Sequence, residues 1–151
     1  MRIWRLCLQR HAAPDGEGAR LYGGRWNSEG TAVVYTSATL SLAVLEYLVN
    51  LDSDILPDDL VALSADIPEH LGIHTIRTED LPSDWREYPA PDELKAMGTA
   101  WAAARRSVIL SVPSVIIPEE RNYLVNPAHP EFGRIHWNAP TPFRFDPRLR
   151  R

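Results

Sequence analysis

The chain has a single cysteine, Cys7, a single lysine, Lys95, and no apolar run approaching eighteen residues. One cysteine excludes an internal disulfide. The missing apolar run excludes a membrane-spanning helix. The opening residues, Met1-Arg2-Ile3-Trp4-Arg5, lack the apolar stretch of a secretory signal, so a cytoplasmic protein is expected. Histidines offer no metal site either: His70 and His74 are four apart but flank Gly72, and no cysteine pair completes a ligand set. No metal is therefore expected. Lysine is scarce but arginine is not, with fifteen residues, a ratio that composition bias explains.

What charge there is falls unevenly. Residues 51–100 hold twelve acids against three bases, while residues 101–151 hold eight arginines against four acids, within an overall net charge of −4. An acidic chain without a continuous basic stripe argues against direct nucleic-acid binding. It leaves room for a small anionic ligand held by a few arginines.

With 151 residues, 44% of them hydrophobic, the chain suits one domain with one core. Ile3–Leu8 alternates as a strand. Gln9–Gly30 is glycine-rich loop. Ala32–Thr36 is a β-branched run that reads as a buried strand. Ser37 or Thr39 can cap a helix reaching about Leu51, with Leu40, Val44, Tyr47, Leu48 and Leu51 on one face. Asp59–Ile67 reads as a second central strand and 68–92 as loop with short helical turns. Pro91-Asp92-Glu93 opens another helix, with proline early and acids in the first turn. Val108–Ile117 is strand-like with a break at Pro113, and Arg134–Trp137 and Pro142–Phe145 alternate as two more strands. About six strands and two clear helices, without a βαβα rhythm or an internal repeat, predict an α+β domain.

Four places hold chemistry. Glu46 is the only charged residue between Glu29 and Asp52. It stands on a helix apolar nearly all round, which predicts burial on most sides. A carboxylate there must be paired or hydrogen-bonded; a glutamate at the rim, reaching solvent, is the alternative. Gly23-Gly24-Arg25-Trp26-Asn27 lets the backbone turn tightly and delivers an arginine that can clamp a diphosphate and an aromatic that can stack. A tight turn with a surface salt bridge is the other reading, and the dinucleotide fingerprint Gly-x-Gly-x-x-Gly is missing. Tyr35, in an Ala/Val run, needs a partner for its hydroxyl. Ser114 follows Pro113 with Asn122 just downstream; no Gly-x-Ser-x-Gly elbow surrounds it, so it suits hydrogen bonding better than nucleophilic attack.

Taken together, Gly23–Asn27, Val33-Val34-Tyr35-Thr36-Ser37 and Leu42-Ala43-Val44-Leu45-Glu46 resemble the RES domain, a family named for its arginine, glutamate and serine. Val112-Pro113-Ser114, Asn122–Pro127 with His129-Pro130, and Phe145–Leu149 extend the likeness from Trp4 to Leu149, so that 1–151 is expected to be one RES domain. The resemblance implies the toxin of a bacterial type II toxin–antitoxin pair that acts on NAD⁺ and arrests growth. It also implies a fold similar to ADP-ribosyltransferases, with a central split sheet and flanking helices. The partner it implies is an Xre-like antitoxin covering the active site in a hetero-oligomeric complex. Arg25, Tyr35, Glu46 and Ser114 carry over as activity-determining residues, and Arg5 matches a further family arginine.

The chemistry agrees with that implication. Nicotinamide leaves NAD⁺ from an already cationic state, so no general acid is needed, and the ribose carbon develops oxocarbenium character. One carboxylate is then enough. Glu46 would hold the ribose hydroxyls and stabilise the charge, Arg25 would bind the diphosphate, Tyr35 would lie near the nicotinamide, and Ser114 would hydrogen-bond the nucleotide. The acceptor is water, phosphate or a protein such as an enzyme of nucleotide metabolism; a non-catalytic nucleotide-binding or interaction module is the alternative. Five tryptophans are expected to leave aromatic surface for the partner.

Overall fold

Alternating and β-branched runs become strands wherever a second strand can cover their backbone. The computed structural model describes residues 1–149. In it β1 (Arg2–Leu8) leads through a helical turn to α1 (Glu17–Tyr22), β2 (Val34–Ser37) and α2 (Leu40–Val49). β3 (Leu60–Asp66) and β4 (Ile73–Thr75) precede α3 (Asp92–Ala104). β5 (Ile109–Pro113), β6 (Arg121–Val125), β7 (His136–Trp137) and β8 (Thr141–Phe143) follow, with a helical turn at Pro147–Leu149. The α+β class holds, but with eight strands rather than six. β6 and β4 are the additions, and the segment 68–92 is not all loop.

The strands form one sheet ordered β4-β5-β6-β2-β1-β3-β7, with β8 also on β3. Only β4 and β5 run parallel. β1 and β3 pair along their whole length, from Arg2 opposite Asp66 to Leu8 opposite Leu60. β1 meets β2 at one register pair, Trp4 opposite Ser37. The sheet therefore nearly parts between β1 and β2.

Strand periodicity sends alternate residues to two cores. Leu110, Val112 and Leu124 pack with Trp26, Trp85, Leu94 and Trp101 on the α3 side. Ile109, Val125 and Val34 pack with Ile3, Ala65 and Ile67 on the other. Three of the five tryptophans, Trp26, Trp85 and Trp101, are thus core residues. The aromatic surface expected for a partner comes instead from Tyr22 and Tyr88, which are among the exposed large hydrophobics.

α3 begins at Asp92 behind Pro91, with Asp92 and Glu93 in its first turn as expected. It lies so close to the glycine loop that a Cβ at Gly98 would overlap the Trp26 carbonyl oxygen. α2 starts as expected, the Thr39 hydroxyl accepting from the Leu42 N–H at 3.1 Å. Its burial differs from the expectation. Leu42 and Ala43 are its buried residues, while Leu40, Val44, Tyr47, Leu48 and the following Leu51 are half-covered. Leu45 and Val49 are exposed. Apolar composition all round the helix did not bring burial all round, because α2 docks on β1 and β2 through one edge.

Candidate active site

Where β1 and β2 part, a cavity of about 270 Å³ opens. β1 contributes Trp4, Arg5 and Leu6 to its lining, β2 contributes Tyr35, Thr36 and Ser37, and α2 contributes Ala43, Glu46, Tyr47 and Asn50. Gly16, Gly18, Ala19, Val33 and Asn122 close it, and among the described residues Glu46 is the only acid lining it.

Glu46 is half-buried, between the two sequence readings. Its Oε1 accepts from the Ser114 hydroxyl at 2.9 Å and from the Asn122 side-chain amide. Ser114 reaches it from the end of β5 and Asn122 from β6, so the β5–β6 hairpin grips the carboxylate. Ser114 is fully buried, and its Oγ also accepts from the N–H groups of Ile116 and Ile117 at 3.1 and 3.2 Å. That placement does not suit the hydrogen bond to nucleotide that the resemblance implies: the hydroxyl faces Glu46 and the hairpin backbone, and its residue is not among those lining the cavity.

Tyr35 does line the cavity, with its hydroxyl donating to Asn27 Oδ1 at 2.7 Å and accepting from the Trp26 N–H at 3.0 Å. Burial drives its pKa well above the ordinary tyrosine value. The hydroxyl therefore stays protonated as a fixed donor to Asn27. Asn27, itself fully buried, donates in turn to the Ala19 and Thr31 carbonyls. The space for this lock exists because residue 24 is glycine: a Cβ there would stand 2.6 Å from the Tyr35 oxygen. Gly23, at φ 71°, turns the chain into the loop.

Arg25 is half-buried, and its Nη1 donates to the carbonyls of Trp85 and Glu87 at 3.0 and 3.1 Å. Its remaining N–H groups bond no described residue. Burial lowers its pKa, an effect that the Glu46 charge opposes. The guanidinium lies outside the residues lining the cavity but within electrostatic reach of Glu46. Among the described residues Arg25 forms no salt bridge, in place of the surface pair that a tight turn would offer. Trp26 next to it is buried in the core rather than free to stack on a ligand, because α3 covers it. Arg5 lines the cavity directly and touches Cys7, whose thiol pKa is raised by burial and partly offset by that arginine.

The geometry thus gathers Arg5, Tyr35 and Glu46 at one cavity, with Arg25 beside it and Ser114 behind it. A family model described as the RES domain matches residues 2–146. The chain belongs to the RES-domain family. Toxin Res of Yersinia enterocolitica serotype O:8 is 37% identical over 153 residues, covering 99% of this chain and 100% of that one. The Prs ADP-ribosylating toxin of Sphingobium sp. strain YBL2 is 36% identical over 153 residues, covering 97% and 95%. In fold, the chain is similar to one in the crystal structure of the M. tuberculosis MbcT–MbcA toxin–antitoxin complex. The TM-score is 0.77 at 17% identity, over 94% of this chain and 83% of that chain. This RES-domain chain is therefore similar along its length to proteins named as toxins.

Three residues of the candidate site make contacts that the sequence does not announce. Asn27 and Asn122 stand in quoted motifs without an assigned task, and Ser37 is read only as a strand end or helix cap. Ser37 Oγ donates to Asn122 Oδ1 at 2.8 Å. Asparagine is disfavoured in strands, so Asn122 becomes a signal only once Arg121–Val125 is known to be a strand. Among the described residues no group of three or more His, Cys, Asp or Glu gathers as metal ligands, and no helix is long and apolar enough to cross a membrane.

Proposed function

We propose that this RES-domain protein is the toxin of a toxin–antitoxin pair and that its substrate is NAD⁺, cleaved at the nicotinamide–ribose bond. The observation that carries the reading is one carboxylate, Glu46, held by two donors on the same oxygen at the wall of a cavity with no second acid. That is what expulsion of a cationic leaving group requires: stabilisation of positive charge at the ribose carbon, without a proton donor. Small-molecule pockets usually measure about 300–1,000 Å³, so a cavity of about 270 Å³ suits half of a dinucleotide. The nicotinamide ribose would enter it beside Tyr35 and Glu46. The diphosphate would lie outward, against the free N–H groups of Arg25 and near Arg5.

The acceptor of the ADP-ribosyl group is a protein on this reading, since a relative 36% identical is named as an ADP-ribosylating toxin. Water and phosphate are the competing acceptors. Incubating pure protein with labelled NAD⁺, with and without cell lysate and phosphate, separates them. Labelled protein supports transfer, and free ADP-ribose or its phosphate supports hydrolysis or phosphorolysis. Unchanged NAD⁺ together with normal growth on expression would leave a non-catalytic nucleotide-binding or interaction module.

An Xre-like antitoxin would restrain the enzyme by covering the cavity. The toxin–antitoxin complex of similar fold supports a partner, and α2, which carries Glu46, offers exposed Leu45 and Val49 for it. A co-purified complex should turn over NAD⁺ far more slowly than the free protein; equal rates would overturn the masking.

A further inference from the structure

We infer that Asn122 is the positioning residue for Glu46, and that Ser37 anchors the far end of its amide. The inference rests on the NAD⁺ reading for its kinetic consequence, though not for its geometry.

The argument starts from donor and acceptor inventories. A carboxylate only accepts, so the Asn122 amide must turn its NH₂ to Glu46 and its oxygen away. The Ser37 hydroxyl stands on the far side and donates to that oxygen at 2.8 Å. The reverse orientation would set two acceptors against each other at Glu46. The carboxylate sets the orientation, since a hydroxyl can donate or accept, and Ser37 anchors the amide's far end.

Sheet register then fixes the position. Ser37 is opposite Asn122 in the β2–β6 ladder and opposite Trp4 in the single β1–β2 pair. Asn122 is also opposite Val112 of β5. Its backbone is therefore held from both sides in the middle of the sheet. Glu46 has no such support: it stands on a helix whose outer face is exposed, with a long side chain and a half-covered position. Both of its protein donors, from Asn122 and Ser114, fall on Oε1, and Oε2 accepts no hydrogen bond from any described residue. The arrangement ties one oxygen to the sheet and leaves the other for the substrate. Ser114 is fully buried, whereas Asn122 also lines the cavity, so Asn122 sets the carboxylate's position at the substrate's edge.

The test joins kinetics to a stability cycle. Asn122→Ala should lower kcat for NAD⁺ by roughly 10–10²-fold, the scale on which misplacing a reacting group by about 1 Å acts. KM should move less than about threefold, because the aim of Glu46 matters mainly in the transition state. Ser37→Ala should show the same split, weaker. Asn122→Asp should lower Tm by about 3 °C or more, because it sets a second carboxylate against the acceptor-only carboxylate of Glu46. In the Glu46→Gln background, where an amide can donate to the new carboxylate, the same change should cost little. A kcat within about twofold of wild type for Asn122→Ala, or a raised KM at unchanged kcat, would overturn the positioning role. So would an Asn122→Asp penalty that is equal in both backgrounds. If wild-type protein cleaves no NAD⁺, the reading of the reaction fails, and the stability cycle alone then decides whether Asn122 holds Glu46.

Discussion

Arg25 is held by main-chain carbonyls, those of Trp85 and Glu87, whereas Glu46 is held by the side chains of Ser114 and Asn122. The loop that delivers Arg25 is itself fixed by packing: Trp26 is buried under α3, Gly98 admits its carbonyl, and Gly24 admits the Tyr35 hydroxyl. One side of the site is thus a matter of shape and the other of donors and acceptors. Shape is robust to changes of surface side chain and fails when volume is added. A hydrogen-bonded carboxylate tolerates little change in its partners.

The sharpest test of that contrast is Glu46→Gln. The amide oxygen can still accept from Ser114 and Asn122, so the fold should survive, with Tm unchanged or slightly raised as charge is removed from the candidate site. NAD⁺ turnover should fall by roughly 10²–10³-fold, with binding changed much less. Near-normal turnover on a folded variant would remove Glu46 from the mechanism.

On the other side, Gly98→Ala should act through stability first. Its Cβ meets backbone rather than a side chain that can swing away, so a loss near the upper end of about 1–3 kcal/mol is expected in denaturant unfolding. Activity should follow the folded fraction. An unaltered midpoint would show that α3 and the loop can separate without cost.

Ser114→Ala should give a smaller loss of both kinds. It removes one donor from Glu46 and leaves the Ile116 and Ile117 N–H groups unanswered, worth about 1 kcal/mol at half-covered positions. Turnover should drop by about tenfold, the scale of about 1.4 kcal/mol in the transition state. Smallest of all is Glu87→Ala, whose carbonyl remains to hold Arg25; kcat and KM should stay within about twofold. A large effect there would mean that Arg25 depends on side chains after all.

The sequence carried one side of this contrast better than the other. β1, β2, β3, α3 and the Thr39 cap were legible because each is a local pattern: alternation, a β-branched run, a proline with acids. The glycine loop, Tyr35 and Glu46 stood out for similar reasons, as unusual residues against plain surroundings. β6 was not legible, since Glu119, Glu120 and Arg121 mask the β-prone Tyr123-Leu124-Val125 run. β4 is a three-residue exposed edge without an apolar signal. The partners of Glu46 were hidden for a deeper reason. Ser114 lies 68 residues away and Asn122 lies 76 residues away, and only the pairing of β2 with β6 brings them to α2. The burial of Trp26 was likewise set by α3, about seventy residues on.

That separation along the chain has a consequence in time. Arg5, Arg25, Tyr35 and Glu46 all lie within the first fifty residues, but β2 has no partner on its open side until Arg121–Val125 has been made. A growing chain therefore carries the arginines and the carboxylate long before it can form the sheet that aligns them. Non-local strand pairing of this kind is a late event in folding. During synthesis the site is thus incomplete until the hairpin after α3 arrives. Chains truncated before Ser114 should lack the proposed activity for want of architecture, even though Arg5, Arg25 and Glu46 are present.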